Sequence, residues 1–224
     1  MKAPLNKRRP RQLPLAIPTW GGRRKNAGRK PKNGKAGVTH TPRPELDAKL
    51  PLHVTLRVAP HVWSLRSERS WSLVAASLRD GADRFGVRIV QLSVQGNHIH
   101  CMVEAPTKRA LSSAMRGLSI RLARRMNALM GRRGPVIADR YHARALRTPT
   151  EVRNTIHYIR NNRRHHLGER AAALRLDFVD RFSADRQRSD GNLIELPRPS
   201  LWLLREGWRR GRATHRPSSP QQHR

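Results

Sequence analysis

One cysteine, Cys101, stands among the 224 residues, so no disulfide can close within the chain and a zinc site built from several thiolates is excluded. Acidic residues are scarce as well. Only 15 Asp and Glu oppose 47 Lys and Arg, which leaves a formal net charge of +32. Aromatic residues make up 4% of the chain, too few for a general single-strand binder assembled from base-stacking platforms. No run of about 18 apolar residues suggests a membrane span, and no helical pattern joins a wide apolar face to a basic one. The basic start, MKAPLNKRRPRQLPLAIP, lacks the apolar core of a secretory signal. The chain therefore reads as cytoplasmic, with no membrane partner.

What is present is cationic charge, and that implies a polyanionic partner, since each neutralised phosphate releases counterions. Nucleic acid is the first candidate, and a ribosomal type of structural protein is compatible with charge alone. Residues 1–50 contain no acidic residue before Glu45 and are rich in Pro, Gly, Lys and Arg, the composition of a disordered basic arm. Within it, Gly28-Arg29-Lys30-Pro31 loosely resembles an AT-hook, which would lay Arg29 and Lys30 in an A·T minor groove. A merely solvated basic tail is the alternative.

From His53 the pattern becomes that of a folded domain. HVTLRV alternates, with Val54, Leu56 and Val58 opposed to His53, Thr55 and Arg57. A helical stretch follows in which Trp71, Val74, Leu78, Ala82 and Phe85 recur at three and four residues, ended by Gly86. VRIVQLSVQ predicts a second strand, with Val90, Leu92 and Val94 on its apolar side. Gly96-Asn97 then turns the chain into a third, HIHCMVEA. A long helix opens at Pro106-Thr107 with the stripe Leu111, Met115, Leu118, Leu122, Met126 and Leu129. Tyr141–Arg147 predicts a fourth strand. Thr148-Pro149-Thr150-Glu151 is a capping box that starts a last helix, buried through Val152, Ile156 and Ile159.

The order β-α-β-β-α-β plus a helix predicts an α+β fold, a ferredoxin-like split βαβ sandwich over residues 51–168. Its helices should cover one face of an antiparallel sheet and leave the other open and polar. Residues 169–224 read as a basic C-terminal extension, with Leu201, Trp202, Leu204 and Trp208 available for docking and a disordered last dozen.

Period two sends His98, His100 and Met102 to one face of the third strand and Ile99, Cys101 and Val103 to the other. The apolar set should meet the helices, so the two histidines should lie side by side on the open face. Imidazoles one strand repeat apart can converge on one ion but need further ligands. Neighbouring exposed histidines with no ligand are equally compatible with the spacing. Tyr158, on the last helix, reads alone as an edge aromatic, and Asn162 as a helix C-cap.

The strand NHIHCMVEA resembles the histidine-hydrophobe-histidine motif of the single-tyrosine transposases of the IS200/IS605 type, with REP-associated relatives nearest. The helix EVRNTIHYIRNN resembles their tyrosine helix, and the likeness spans roughly His53 to His166. It implies an enzyme that cuts and rejoins single-stranded DNA through a 5′-phosphotyrosine, with Tyr158 as nucleophile. It implies too that His98, His100 and the amide oxygen of Asn162 hold Mg²⁺ or Mn²⁺, a mixture of donors that suits either ion. The expected partner is single-stranded or hairpin DNA, bound by a monomer or a homodimer. Lys108, Arg109, Arg132, Arg133, Arg140 and Arg144, with His142, would hold phosphates around the open face. The competing reading is a non-catalytic nucleic-acid-binding protein, for DNA hairpins or RNA, on the same fold. Two departures from the family stand out. Gly96-Asn97 replaces its usual Pro-Asn, and Arg163, not proline, follows Asn162, which puts the end of the tyrosine helix at issue.

Overall fold

The computed structural model describes residues 44–81, 84–174, 178, 180–185 and 194–212. Arg29, Lys30 and most of the basic arm lie outside the described residues, as do Ala82, residues 175–177 and the last twelve.

Five strands form one antiparallel sheet in the order β4-β1-β3-β2-β5, from β1 (Leu52–Arg57), β2 (Arg88–Val94), β3 (His98–Glu104), β4 (His142–Ala145) and β5 (Ser183–Asp185). The first four follow the expected α+β, ferredoxin-like arrangement. Strand β5 extends it beyond β2, at an edge where the sequence showed only an unreadable stretch. Arg66 holds that edge. Its guanidinium grips the buried Asp180 at 2.6 and 2.8 Å and donates to the Val94 carbonyl at 2.8 Å.

Helix α1 (Glu68–Arg79) starts where the Ser67 hydroxyl accepts the Ser70 N–H, and α2 (Lys108–Leu129) where Thr107 does the same for Ala110. Both pack on the face carrying Leu52, Val54, Leu56, Leu92, Val94, Ile99, Cys101 and Val103, the larger core. The expectation that α1 continues to Phe85 is wrong. It stops at Arg79, and Phe85 sits in a tight turn (Arg84–Gly86) at φ 62°, 57% exposed. The apolar stripe runs past the helix because apolar spacing alone carries no stop signal.

The expectation of an open polar face also fails. Helix α3 (Pro149–Leu167) lies across it, and a second core joins Val90, Met102, Leu146, Val152, Ile156 and Ile159 to Leu203 and Leu204 of the extension. Val90 reaches this face because the β2–β3 register shifts between Ile89 and Gln91. The bulge reverses Val90 relative to Leu92 and Val94, against the simple alternation. Each fully buried Leu, Ile or Met contributes roughly 1.5–3 kcal/mol, against about 1 kcal/mol for a helix cap. Burial therefore fixes where α3 lies. The cap only fixes where it begins.

The extension crosses from one core to the other. Ile194 and Leu196 pack into the larger core, while Leu203 and Leu204, in or beside α4 (Trp202–Arg205), and Trp208 pack into the smaller. Between them the buried Glu104 carboxylate accepts the Ser200 N–H (2.8 Å), the Ser200 hydroxyl (2.6 Å) and the Leu201 N–H (2.8 Å). Gly211 ends the strap against α3, where a Cβ would stand 2.6 Å from the Pro149 carbonyl oxygen.

Candidate functional site

Both histidines of β3 stand on the face crossed by α3, as period two predicts. His100 is 6% exposed and His98 half-buried, and their ring centroids are 4.7 Å apart at 85°. His98 Nδ1 donates to Asn97 Oδ1 at 2.7 Å, which leaves its Nε2 with the lone pair. The turn residue expected only to reverse the chain therefore also orients the first imidazole.

Tyr158 comes to this pair from α3. Its hydroxyl lies 3.5 Å from His100 Nε2, with the rings edge to face at 5.2 Å. That separation is at the long limit of a hydrogen bond. Tyr141, the only other tyrosine, faces the larger core, where its hydroxyl meets Ser112 Oγ at 3.0 Å.

Asn162 follows Tyr158 by one turn. It has no exposed surface, and neither Oδ1 nor Nδ2 meets a hydrogen-bond partner. It is not a cap: α3 runs on to Leu167 and is capped at Gly168, so the departures in sequence after Asn162 leave the helix unbroken. Among the described residues no group of three or more His, Cys, Asp or Glu side chains is arranged to hold a metal.

Four further residues gather here that the sequence reading left out. His53 Nε2 and Thr55 Oγ1, both on β1, each lie 3.1 Å from His100 Nδ1. His166 meets the His98 ring at 5.3 Å and His165 the Tyr158 ring at 6.0 Å. The spacing Tyr158, Asn162, His166 at successive fours could have revealed His166. Nothing in the sequence could have revealed Thr55, because it depends on the β1–β3 register that sets Thr55 opposite His100.

Burial governs the electrostatics. It lowers His53 to about 4 with help from the charges of His142 and Arg144, and lowers His98 to about 4 with help from His166 and Arg57. It drives His100 down to about 2, assisted by His53, His98 and His166. All three imidazoles are neutral near pH 7 and free to accept or ligate. Burial also raises the Tyr158 phenol above its ordinary value, so the hydroxyl does not ionise unaided.

The cations expected around the site fall into two groups. Arg132, Arg133 and Arg140 stand in the loop after α2, whose Ile137 bridges Val58 and whose Ala138 donates to the Arg57 carbonyl. Since Arg57 pairs with His98, that loop borders the histidine end of the sheet. His142 and Arg144 are exposed on β4, and Arg144 pairs with Glu151 at 2.5 Å. Lys108 and Arg109 follow the opposite end of β3, and Lys108 pairs with Glu45 at 2.9 Å.

Residues 50–162 match the family model of the IS200-like transposases, half of the chain. The structure resembles that of a REP-associated tyrosine transposase bound to a REP hairpin, with a TM-score of 0.52 and 15% identity over 70% of this chain and 89% of that one. A candidate transposase from Deinococcus radiodurans R1 is more distant, with a TM-score of 0.37 and 19% identity over 55% of this chain and 94% of the other. No curated protein matches the chain.

Proposed function

The chain belongs to the IS200-like transposase family, and from that premise we propose that it cuts and rejoins single-stranded DNA through Tyr158. One observation carries the reading: the Tyr158 hydroxyl lies 3.5 Å from a neutral, buried imidazole, and a buried amide with no partner follows one helical turn on.

Tyr158 Oη attacks the scissile phosphorus. The bond to the 3′ oxygen breaks, the phosphorus stays joined to the tyrosine as a 5′-phosphotyrosine, and the 3′ oxygen leaves with a proton. The phenol gives up its own proton in the same exchange, so charge balances. One phosphodiester replaces another, and attack by a 3′-hydroxyl reverses the step without ATP. His98, His100 and Asn162 would hold Mg²⁺ or Mn²⁺, which when bound acts as a Lewis acid on the phosphate. The donor set fits: two imidazoles unprotonated at pH 7 and an amide whose oxygen has no other bond.

The expected DNA carries a hairpin beside a single-stranded cleavage point. A folded duplex stem offers phosphates to Arg132, Arg133, Arg140 and Arg144, whereas a 4% aromatic content favours no long stacking track. Lys108 and Arg109 would reach the same DNA only past the far end of β3, and Arg29 and Lys30 would contribute from the arm.

Labelled hairpin DNA incubated with the protein and Mn²⁺ or Mg²⁺, then run on a denaturing gel, tests this directly. A metal-dependent covalent band that disappears in Tyr158→Phe is expected. Hairpin binding with no adduct under either ion would replace the enzyme with a non-catalytic DNA-binding protein.

A further inference from the structure

His100 has two nitrogens with different tasks, and β1 attends to the one that faces away from the tyrosine. Nε2 points to Tyr158, while Nδ1 lies between His53 Nε2 and Thr55 Oγ1, each at 3.1 Å. The His53 and His100 rings are inclined by only 29°, with centroids 5.2 Å apart. Their centroid separation exceeds the nitrogen–nitrogen distance by roughly a ring width, so the rings meet edge to edge with the two nitrogens in line. That is hydrogen-bond geometry rather than face-to-face stacking.

A neutral imidazole carries one proton, on one nitrogen or the other. With the proton on Nε2, His100 would offer Tyr158 a donor, and that nitrogen could neither receive the phenolic proton nor ligate a cation. With the proton on Nδ1, a single N–H is shared between two acceptors, a common three-centre arrangement, and Nε2 keeps its lone pair. In the reverse arrangement the one Nδ1 lone pair can take the His53 N–H or the Thr55 hydroxyl but not both, so one of the two must turn to another partner.

We propose that His53 and Thr55 are positioning residues that hold His100 in its Nδ1–H form, so that Nε2 keeps its one lone pair, which faces Tyr158 in the metal-free protein and is the pair a bound divalent ion would take. The inference rests on the strand-cutting reading, and it adds the strand β1 to a site previously drawn from β3 and α3 alone. His53 does the larger share, because its ring is fixed at both ends of the contact. It lies in line with His100 and meets Tyr158 edge to face at 6.1 Å. A threonine hydroxyl, by contrast, rotates freely between donating and accepting.

The test uses the full-length protein and two readouts that need no DNA. Long-range proton–nitrogen NMR of the metal-free protein, with the His100 signals assigned through His100→Asn, reports the tautomer. Titration with Mn²⁺ alone, followed by the free-ion paramagnetic signal, reports affinity. The wild-type protein is expected to show His100 protonated at Nδ1. A His53→Ala, Thr55→Val double variant should lose that preference and bind Mn²⁺ about 10–100-fold more weakly, the usual effect of removing a ligand's hydrogen-bond partner. His53→Gln sets an amide oxygen near the place of Nε2 and should hold affinity within about threefold of wild type, which separates positioning from mere packing. A wild-type His100 protonated at Nε2, or a double variant unchanged in tautomer and affinity, overturns the proposal. If Tyr158→Phe still formed the covalent adduct, the strand-cutting reading would fail, while the tautomer and the Mn²⁺ titration would still decide the part played by His53.

Discussion

Asn162 is buried with both amide atoms unpartnered, and a fold selected for stability alone would not retain it. An unsatisfied buried polar group costs on the order of 1–3 kcal/mol. Replacing it by leucine, which is close in size, should therefore raise the thermal unfolding midpoint by a few degrees while weakening Mn²⁺ binding and adduct formation. A variant that lost stability as well as activity would instead mark Asn162 as a packing residue. The opposition of stability and activity is what sets a ligand apart from a structural amide. Tyr158 is less clean a case, since its ring also packs against the smaller core beneath α3.

At the scale of elements, the extension depends on Glu104. Its carboxylate, 4% exposed, accepts from Ser200 and Leu201 just before α4 and lies 3.4 Å from Arg88 Nε. Glu104→Ala strands several donors and should lower the unfolding free energy by about 3 kcal/mol. Limited proteolysis should then cut first within residues 194–212, whereas an unchanged cutting pattern would assign the docking to Leu203, Leu204 and Trp208 alone. Most elements could be read beforehand. The capping box at Thr148 and the alternation through His98 and His100 are local features, and local features are what a sequence displays. The reversal of Val90 could not be read, because a bulge is a property of two strands in register. Nor could the end of α1, where the Arg121 guanidinium occupies the place a Cβ on Gly81 would need. The site followed the same rule: its β3 and α3 residues were visible one element at a time, whereas His53 and Thr55 joined it only through pairing.

The molecule as a whole carries one buried and two half-buried histidines on one sheet face, and this sets its response to acid. His53 and His98 titrate near 4 and His100 near 2, against 6.5 when exposed. As pH falls below 6.5 the unfolded chain binds protons that the folded chain refuses, so stability must decline across that window. Thermal unfolding of the metal-free protein should show a falling midpoint between pH 6.5 and about 5, above the range where carboxylates titrate, with a shallower slope in His53→Gln. A midpoint that stays level there would mean the imidazoles are not desolvated in solution. The strap from Ile194 to Gly211 has a consequence in time. Synthesis runs from the amino end, so Tyr158 and both histidines of β3 leave the ribosome well before Leu203, Leu204 and Trp208 do. Until those arrive, the smaller core lacks Leu203, Leu204 and the Trp208 ring that pack into it beside α3. A product cut short by a stalled ribosome would carry His98, His100 and Tyr158 without the apolar surface that Leu203, Leu204 and Trp208 lay beside α3.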